Sequence, residues 1–167
     1  MLLSQSRLRL RNTDQSTAER AWQYALRLLA ARDYTSARLS DKLLAREFSK
    51  EDVAAAISRL ESEQWISDRR FAERFAESSL AAGRFFGPRL RLELRRRGVP
   101  QEMIGEVLSR YEHDEENEVQ ALLDRRFPGF SSSTASDKEK RRVLGFLQRR
   151  GLKTSVIFKV LREMEPS

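Results

Sequence analysis

Cysteine is absent from this sequence, which excludes a disulfide framework, a thiolate metal site and a cysteine nucleophile together. Histidine occurs only at His113, so the common three- or four-ligand transition-metal sites cannot form unless carboxylates supply the remaining ligands. No apolar run approaches the length of a membrane span. The stretch from Met1 to Arg11 breaks its leucines with arginines and lacks the continuous apolar segment of a signal peptide, so a soluble, cytoplasmic chain is expected. Gly-rich phosphate loops and Gly-x-Ser-x-Gly elbows are missing as well. An enzyme is therefore not expected, nor is a metal or a cofactor.

Charge is what the sequence has in abundance. Its 167 residues carry 32 Lys plus Arg against 25 Asp plus Glu, a net charge of +7, with 34% charged and 40% hydrophobic residues. That balance suits small helical units with much surface per residue and predicts a thin, elongated molecule. The positive excess suits a polyanionic partner, either nucleic acid or an acidic protein groove.

Three segments align without gaps: Leu39 to Ile57, Leu90 to Leu108 and Val143 to Leu161, anchored on Phe48, Val99 and Leu152. The anchors lie 51 and 53 residues apart. Before each anchor, Leu39 and Leu43, Leu90 and Leu94, and Val143 and Leu147 form an i, i+4 apolar stripe on one helix. After it, Val53 and Ile57, Ile104 and Leu108, and Ile157 and Leu161 form a second stripe on another. A further apolar-periodic helix precedes each pair, over Thr17 to Ala31, Asp68 to Ala82 and Asp114 to Phe127.

The predicted fold is thus all-α: an elongated tandem array of three three-helix, helix-turn-helix-like repeats. The repeats span residues 16–66, 67–111 and 112–165, after a flexible N-terminal segment at 1–15. The third contains a flexible loop near 128–136, rich in turn residues.

Boundary chemistry agrees with this division. Ser49 to Asp52 and Ser136 to Glu139 read as capping boxes. Gly98 and Gly151 fall where a helix must end, and Pro100 opens the next helix. The segment Arg89 to Leu94 alternates like a half-buried strand, yet Gly87-Pro88 starts a helix and Gly98 stops one, so a helix is expected there.

The polar residues that recur with the repeat are arginines: Arg38, Arg89 and Arg142 at one position, Arg46, Arg97 and Arg150 at another. The second set lies where arginine complements a helix C-terminus. The first set is expected near helix N-termini, where a cation is unfavourable and a binding role is one compensation. The densest patch is Arg89, Arg91, Arg95, Arg96 and Arg97, which makes the second repeat the best candidate contact surface; Arg149 extends the basic surface in the third.

Phe85 and Phe86, between Gly83 and Gly87, are candidate exposed aromatic anchors, with at least one of them expected in the core. Trp22 and Trp65 are expected to be packing residues. Asp114, Glu115, Glu116 and Glu118 crowd a helix N-terminus, a stabilising use worth about 0.3–1 kcal/mol each, and His113 is expected to be a surface histidine beside them.

Tyr24-Ala-Leu-Arg-Leu-Leu29 with Arg32-Asp-Tyr-Thr35, then Ile66-Ser-Asp-Arg-Arg-Phe-Ala72, Gly87-Pro88 leading to Glu93-Leu94 and Arg97-Gly98, and finally Phe146-Leu-Gln-Arg-Arg-Gly151 together resemble the successive signatures of the RecX family. The match runs from about Thr17 to Met164. It departs from the family pattern at Gly83-Arg-Phe-Phe-Gly87, which is longer than usual, with a shorter segment after it.

The resemblance implies a bacterial regulator that lodges in the groove of the RecA–DNA filament and lowers recombinase, ATPase and co-protease activities; a monomer is expected, though the sequence leaves monomer versus dimer open. The partners it implies are the RecA protein filament and single- or double-stranded DNA. An alternative from another class is a direct nucleic-acid binder using helix-turn-helix-like basic helices; a third is a helical adaptor for another acidic protein.

Overall fold

A computed structural model describes the backbone of residues 3–111 and 114–164 and the side chains of residues 17–111 and 114–164. Nine helices and no strand occur among the described residues. They are α1 (Leu3–Ala31), α2 (Ser36–Leu44), α3 (Lys50–Ser62), α4 (Asp68–Ala81), α5 (Gly87–Arg96), α6 (Gln101–Leu108), α7 (Glu115–Arg126), α8 (Asp137–Arg149) and α9 (Thr154–Glu163). The side chains of the expected flexible segment at 1–15, and His113, lie outside the described residues.

Local chemistry explains the helix starts. Thr35 caps α2, its hydroxyl accepting from the Arg38 N–H, and Ser49 caps α3 by accepting from Asp52 N–H. At α8 the capping box is complete: Ser136 Oγ accepts from Glu139 N–H, and the Glu139 carboxylate accepts from Ser136 N–H at 2.8 Å. At Ser49 only the hydroxyl half forms. The third residue there is Asp52, one methylene shorter than the glutamate the reciprocal bond requires. Asp114 caps α7 by accepting from the N–H groups of Glu116 and Asn117.

The alternating stretch Arg89 to Leu94 is helical, within α5. Its leucines Leu90 and Leu94 fall on one helical face and are buried, and Leu92 is half-buried. The i, i+4 spacing outweighs the period of two because Gly87-Pro88 and Gly98 bracket a helix-length segment.

Contacts divide the chain into two compact units, Met1–Ala72 with Arg96–Pro100, and Glu73–Arg95 with Gln101–Ser167. In the first unit α1 packs on α3 and α2 around Ala21, Ala25, Leu39, Leu43, Val53, Ala56, Leu60 and Ile66. In the second, α7, α8 and α9 pack around Val119, Leu122, Leu123, Val143, Leu147, Ile157 and Leu161, joined by Phe86 from the loop before α5. Full burial of each large apolar side chain contributes about 1.5–3 kcal/mol.

One junction recurs in both units. Thr35 and Phe86 occupy the same repeat position, as do Arg97 and Arg150. In the first unit Thr35 Oγ1 donates to the Arg97 carbonyl, and the Arg38 guanidinium donates to the carbonyl of Arg96 at the end of α5. In the second, Phe86 N–H donates to the Arg150 carbonyl at 2.7 Å, while Arg150 Nη1 donates to the Gly83 carbonyl at 2.6 Å. Each loop thereby satisfies carbonyls that the end of a helix leaves orphaned.

The glycines follow from this close approach. Gly98 and Gly151 have φ of +84° and +95°, and a Cβ would sit 2.7 Å from Ala37 Cβ at the first and 2.2 Å from the Phe86 carbonyl oxygen at the second. The corresponding residue of the first repeat is Glu47, exposed at φ 64°.

Candidate partner-binding surface

Arginines that recur in sequence meet different fates in the structure. Arg38, besides its bond to Arg96, lies 3.5 Å from Asp41. Arg89 pairs with the buried Glu93 carboxylate at 2.8 Å, and its Nε is buried without a partner among the described residues. It is part of the packing. Arg142 is not at a helix N-terminus: α8 begins at Asp137, so Arg142 falls in the second turn, where its guanidinium lies 5.9 Å from the Phe127 ring. The unfavourable cation expected there does not arise.

Arg46 donates to Tyr24 Oη at 3.0 Å. Arg149 is the exposed last residue of α8, and Arg150 is its C-cap, lying over the Phe146 ring at 4.6 Å. Of the dense patch on α5, Arg91 and Arg95 are exposed one helical turn apart. Arg96 is exposed beside them, and Arg97 turns into a cleft of the first unit.

The aromatic candidates also separate. Phe86 is fully buried, so it is not an exposed anchor; the backbone bond to Arg150 draws it into the apolar cluster of the second unit. Phe85 is half-buried, stacked on Phe75 with centroids 6.2 Å apart. Trp65, expected to pack, is instead 55% exposed at the turn after α3, its Nε1 donating to Glu63 at 3.0 Å. It falls beyond the last buried turn of α3, where Leu60 and Ile66 close the core.

Tertiary packing assembles three cationic groupings. The first is a cleft of about 360 Å³ at the start of α2, with Arg32, Arg38, Lys42 and Arg97 facing one carboxylate, Asp33, and with Tyr34 and Phe71 as ring walls. Arg32 lies over the Tyr34 ring at 4.7 Å. The second is a cleft of about 230 Å³ where Arg20, Arg27 and Arg46 surround Tyr24 and Phe48. Arg27 and Arg46 lie 5.8 and 4.9 Å from the Tyr24 ring centre.

The third grouping, in the second unit, gathers Arg84, Arg125, Arg126 and Arg150. Burial first, then repulsion from Arg125, Arg126 and Arg84, holds the Arg150 guanidinium below its ordinary pKa. Arg125 and Arg126 occupy the last turn of α7 and Arg150 caps α8, so the negative ends of two helix dipoles answer this cluster.

Repeat matching does not find Arg20, Arg27, Arg32, Lys42, Arg84, Arg125 or Arg126. One signal for the first two clefts is nevertheless local: Arg38, Lys42 and Arg46 are spaced i, i+4, i+8.

The acidic run beside α7 serves structure. Glu115 pairs with Lys153 at 2.9 Å and Glu116 with Lys159 at 2.6 Å. Among the described residues no group of three or more His, Cys, Asp or Glu is placed to hold a metal ion, and no helix is long and apolar enough to cross a membrane.

Tandem three-helix units joined through glycine-capped helix ends define a helical-repeat protein. Residues 21–60 match the family model described as RecX, first three-helix domain, and residues 67–108 match that of the second three-helix domain. The regulatory protein RecX of Trichlorobacter lovleyi is 45% identical over 135 residues, covering 80% of this chain and 88% of the relative. That of Syntrophotalea carbinolica is 36% identical over 146 residues, covering 86% and 95%. The crystal structure of RecX from Lactobacillus salivarius superposes with a TM-score of 0.70 at 17% identity, over 90% of this chain and 97% of that one, a likeness of fold. The chain belongs to the RecX family of regulatory proteins.

Proposed function

We propose that this protein is a negative regulator of the RecA recombinase in the bacterial cytoplasm, occupying the groove of the RecA–DNA filament and lowering ATP hydrolysis, strand exchange and co-protease activity. Membership in the RecX family, at 45% identity to a relative across most of both chains, carries this reading. The regulator acts by occupancy as a monomer of three repeats, 16–66, 67–111 and 112–165, with no covalent step, metal or cofactor of its own.

Arg91 and Arg95 support the choice of contact surface. They project from α5 as exposed cations on one face, with no ion pair to another described residue. Arg89 is committed to Glu93, which narrows the basic patch to its outer arginines. Cations on a rim steer association and suit an acidic protein face or a phosphate backbone.

The test is single-stranded-DNA-dependent ATP hydrolysis by RecA, titrated with this protein. Inhibition well below one protein per RecA subunit is expected. Reversing both charges, Arg91→Glu with Arg95→Glu, is expected to raise the half-inhibiting concentration about tenfold, roughly 1.4 kcal/mol. Full inhibition by the double variant at the original concentration refutes the surface assignment, and no inhibition by the unaltered protein refutes the function.

A further inference from the structure

We propose that the arginine cluster at the ends of α4, α7 and α8 is a binding site for a compact, multiply charged phosphate anion of the inorganic pyrophosphate class. The site lies within the second unit, apart from the α5 surface assigned above, and it stands whether or not RecA is the partner.

Convergence on one glycine builds the site. Beyond α4, Gly83 N–H donates to the Leu80 carbonyl and Arg84 N–H to the Ser79 carbonyl, the paired bonds of a glycine-capped helix end, with Gly83 at φ +60°. Arg150, the C-cap of α8, donates from Nη1 to the Gly83 carbonyl at 2.6 Å. Arg125, from the last turn of α7, places Nη2 2.6 Å from where a Cβ on Gly83 would stand. Any side chain at this position would press on that guanidinium, so glycine leaves room for it. Arg84 and Arg126, the chain neighbours of Gly83 and Arg125, are both exposed.

Charge then names the ligand. Among the described residues no carboxylate forms an ion pair with any of the four arginines. Arg84 donates to the Ser78 hydroxyl at 2.7 Å and Arg150 lies over the Phe146 ring at 4.6 Å, and both of these partners are neutral. Asp124, beside Arg125 on α7, instead accepts from Gln120 at 2.9 Å. The depressed Arg150 pKa records the same crowding of like charges.

Helix ends answer part of this charge. Each C-terminus supplies about half a negative charge, so three of them offset roughly one and a half of the four positive ones. An excess of about two and a half charges remains at one place. A nucleic-acid strand spreads its charge along its length, one to each phosphate. A terminal phosphate group concentrates about 1.5–2 charges on three acceptor oxygens, and pyrophosphate joins two such groups. The planar N–H forks of arginine match phosphate oxygens in pairs, and Arg84 and Arg150 each give the protein only one of their side-chain hydrogen bonds.

Isothermal titration calorimetry on the full chain, without RecA or DNA and at constant ionic strength, tests the site with inorganic pyrophosphate, inorganic phosphate and dimethyl phosphate. One pyrophosphate per chain is expected to bind, inorganic phosphate about tenfold more weakly, and the singly charged diester not measurably. Arg84→Gln with Arg126→Gln, both at exposed positions, is expected to weaken pyrophosphate binding at least about tenfold. The same pair should abolish the rise in the urea unfolding midpoint that pyrophosphate gives the original chain. Arg91→Gln with Arg95→Gln serves as the control and should bind pyrophosphate as the original chain does, with circular dichroism confirming that both variants are folded.

The proposal is overturned if pyrophosphate does not bind, or if the Arg84 and Arg126 variant binds it as well as the original chain. It is equally overturned if the Arg91 and Arg95 variant loses as much affinity, since attraction to the basic chain as a whole would then explain the binding. Displacement of pyrophosphate by oligothymidylate at equal phosphate concentration would assign the cluster to a nucleic-acid strand and also refute it.

Discussion

Replacing Gly151 by alanine tests the junction at the end of α8 most directly. Two costs separate cleanly, because a second glycine has one without the other. Gly129 has φ +80° with nothing within 4 Å of an added Cβ, whereas at Gly151, φ +95°, the Cβ would meet the Phe86 carbonyl oxygen at 2.2 Å and Arg89 Cβ at 2.6 Å.

A left-handed backbone costs an alanine about 1–2 kcal/mol, offset by about 0.4–1 kcal/mol from the less flexible unfolded chain. Gly129→Ala is therefore expected to destabilise by about 1 kcal/mol or less. Gly151→Ala has the same backbone cost and must also push the Phe86 loop away. Overpacking of this kind costs about 1–3 kcal/mol, and loss of the Phe86 to Arg150 hydrogen bond about 0.5–1.5 kcal/mol more.

The expected total at Gly151 is roughly 3–4 kcal/mol. Urea unfolding followed by far-ultraviolet circular dichroism reads it. Trp22 and Trp65 both belong to the first unit, so their fluorescence reports Gly98→Ala, the matching substitution there, in which the Cβ meets Ala37. If Gly151→Ala shifts the unfolding midpoint no more than Gly129→Ala, close approach is not why glycine stands at this position.

Three further outcomes are expected. Phe86→Ala, at a fully buried site, should destabilise by about 3–5 kcal/mol, and Phe85→Ala, at a half-buried one, by clearly less; equal losses in urea titrations would contradict the burial. The Ser136 hydroxyl and then the Ser136 N–H hold the Glu139 carboxyl below its usual pKa. Because the folded pKa is the lower one, this stability is present above the unfolded value of about 4.3 and is lost as pH falls through the folded value. Ser136→Ala should therefore flatten the acid limb of the stability curve, and an unchanged limb in urea titrations across that range would refute the link. Burial, then the hydrogen bond to Glu77, pushes the Tyr111 phenol above its usual pKa. The unfolded chain then ionises first, at about pH 10, so stability should fall as pH rises past that value, and Tyr111→Phe should remove part of the slope.

Much of the fold is legible in the residues because helices declare themselves locally. Leu39 with Leu43 and Val143 with Leu147 sit four apart because four residues make just over one helical turn, and each of these side chains is buried. The hydroxyls at Thr35, Ser49 and Ser136 act on N–H groups within three residues, so capping follows from order alone. The rejected strand at Arg89 to Leu94 shows the limit of a short window: the alternation is real, but the bracketing glycines and proline decide the element.

The basic surface is less legible. Matching arginines across repeats ranks Arg89 with Arg38, yet Glu93 engages Arg89 while Arg38 lines a cleft. The matches identify positions that recur; they do not say which guanidinium a carboxylate will engage, as Glu93 engages Arg89 one turn along α5. Phe86 shows the same limit, since neither flanking glycine reveals that the C-terminal carbonyl of α8 will draw it inward.

The helices, their caps, the repeat that orders them and the family can be read from the residues alone, because each depends on residues within a turn or two, or on a pattern that survives alignment. Which cations come together is settled by packing. It brought Arg32, Arg38, Lys42 and Arg97 from the end of α1, from α2 and from beyond α5 into one cleft, and gathered Arg84, Arg125, Arg126 and Arg150 from two loops and a helix end. A charge is free or spent according to what lies across from it in space, and separation along the chain carries no record of that.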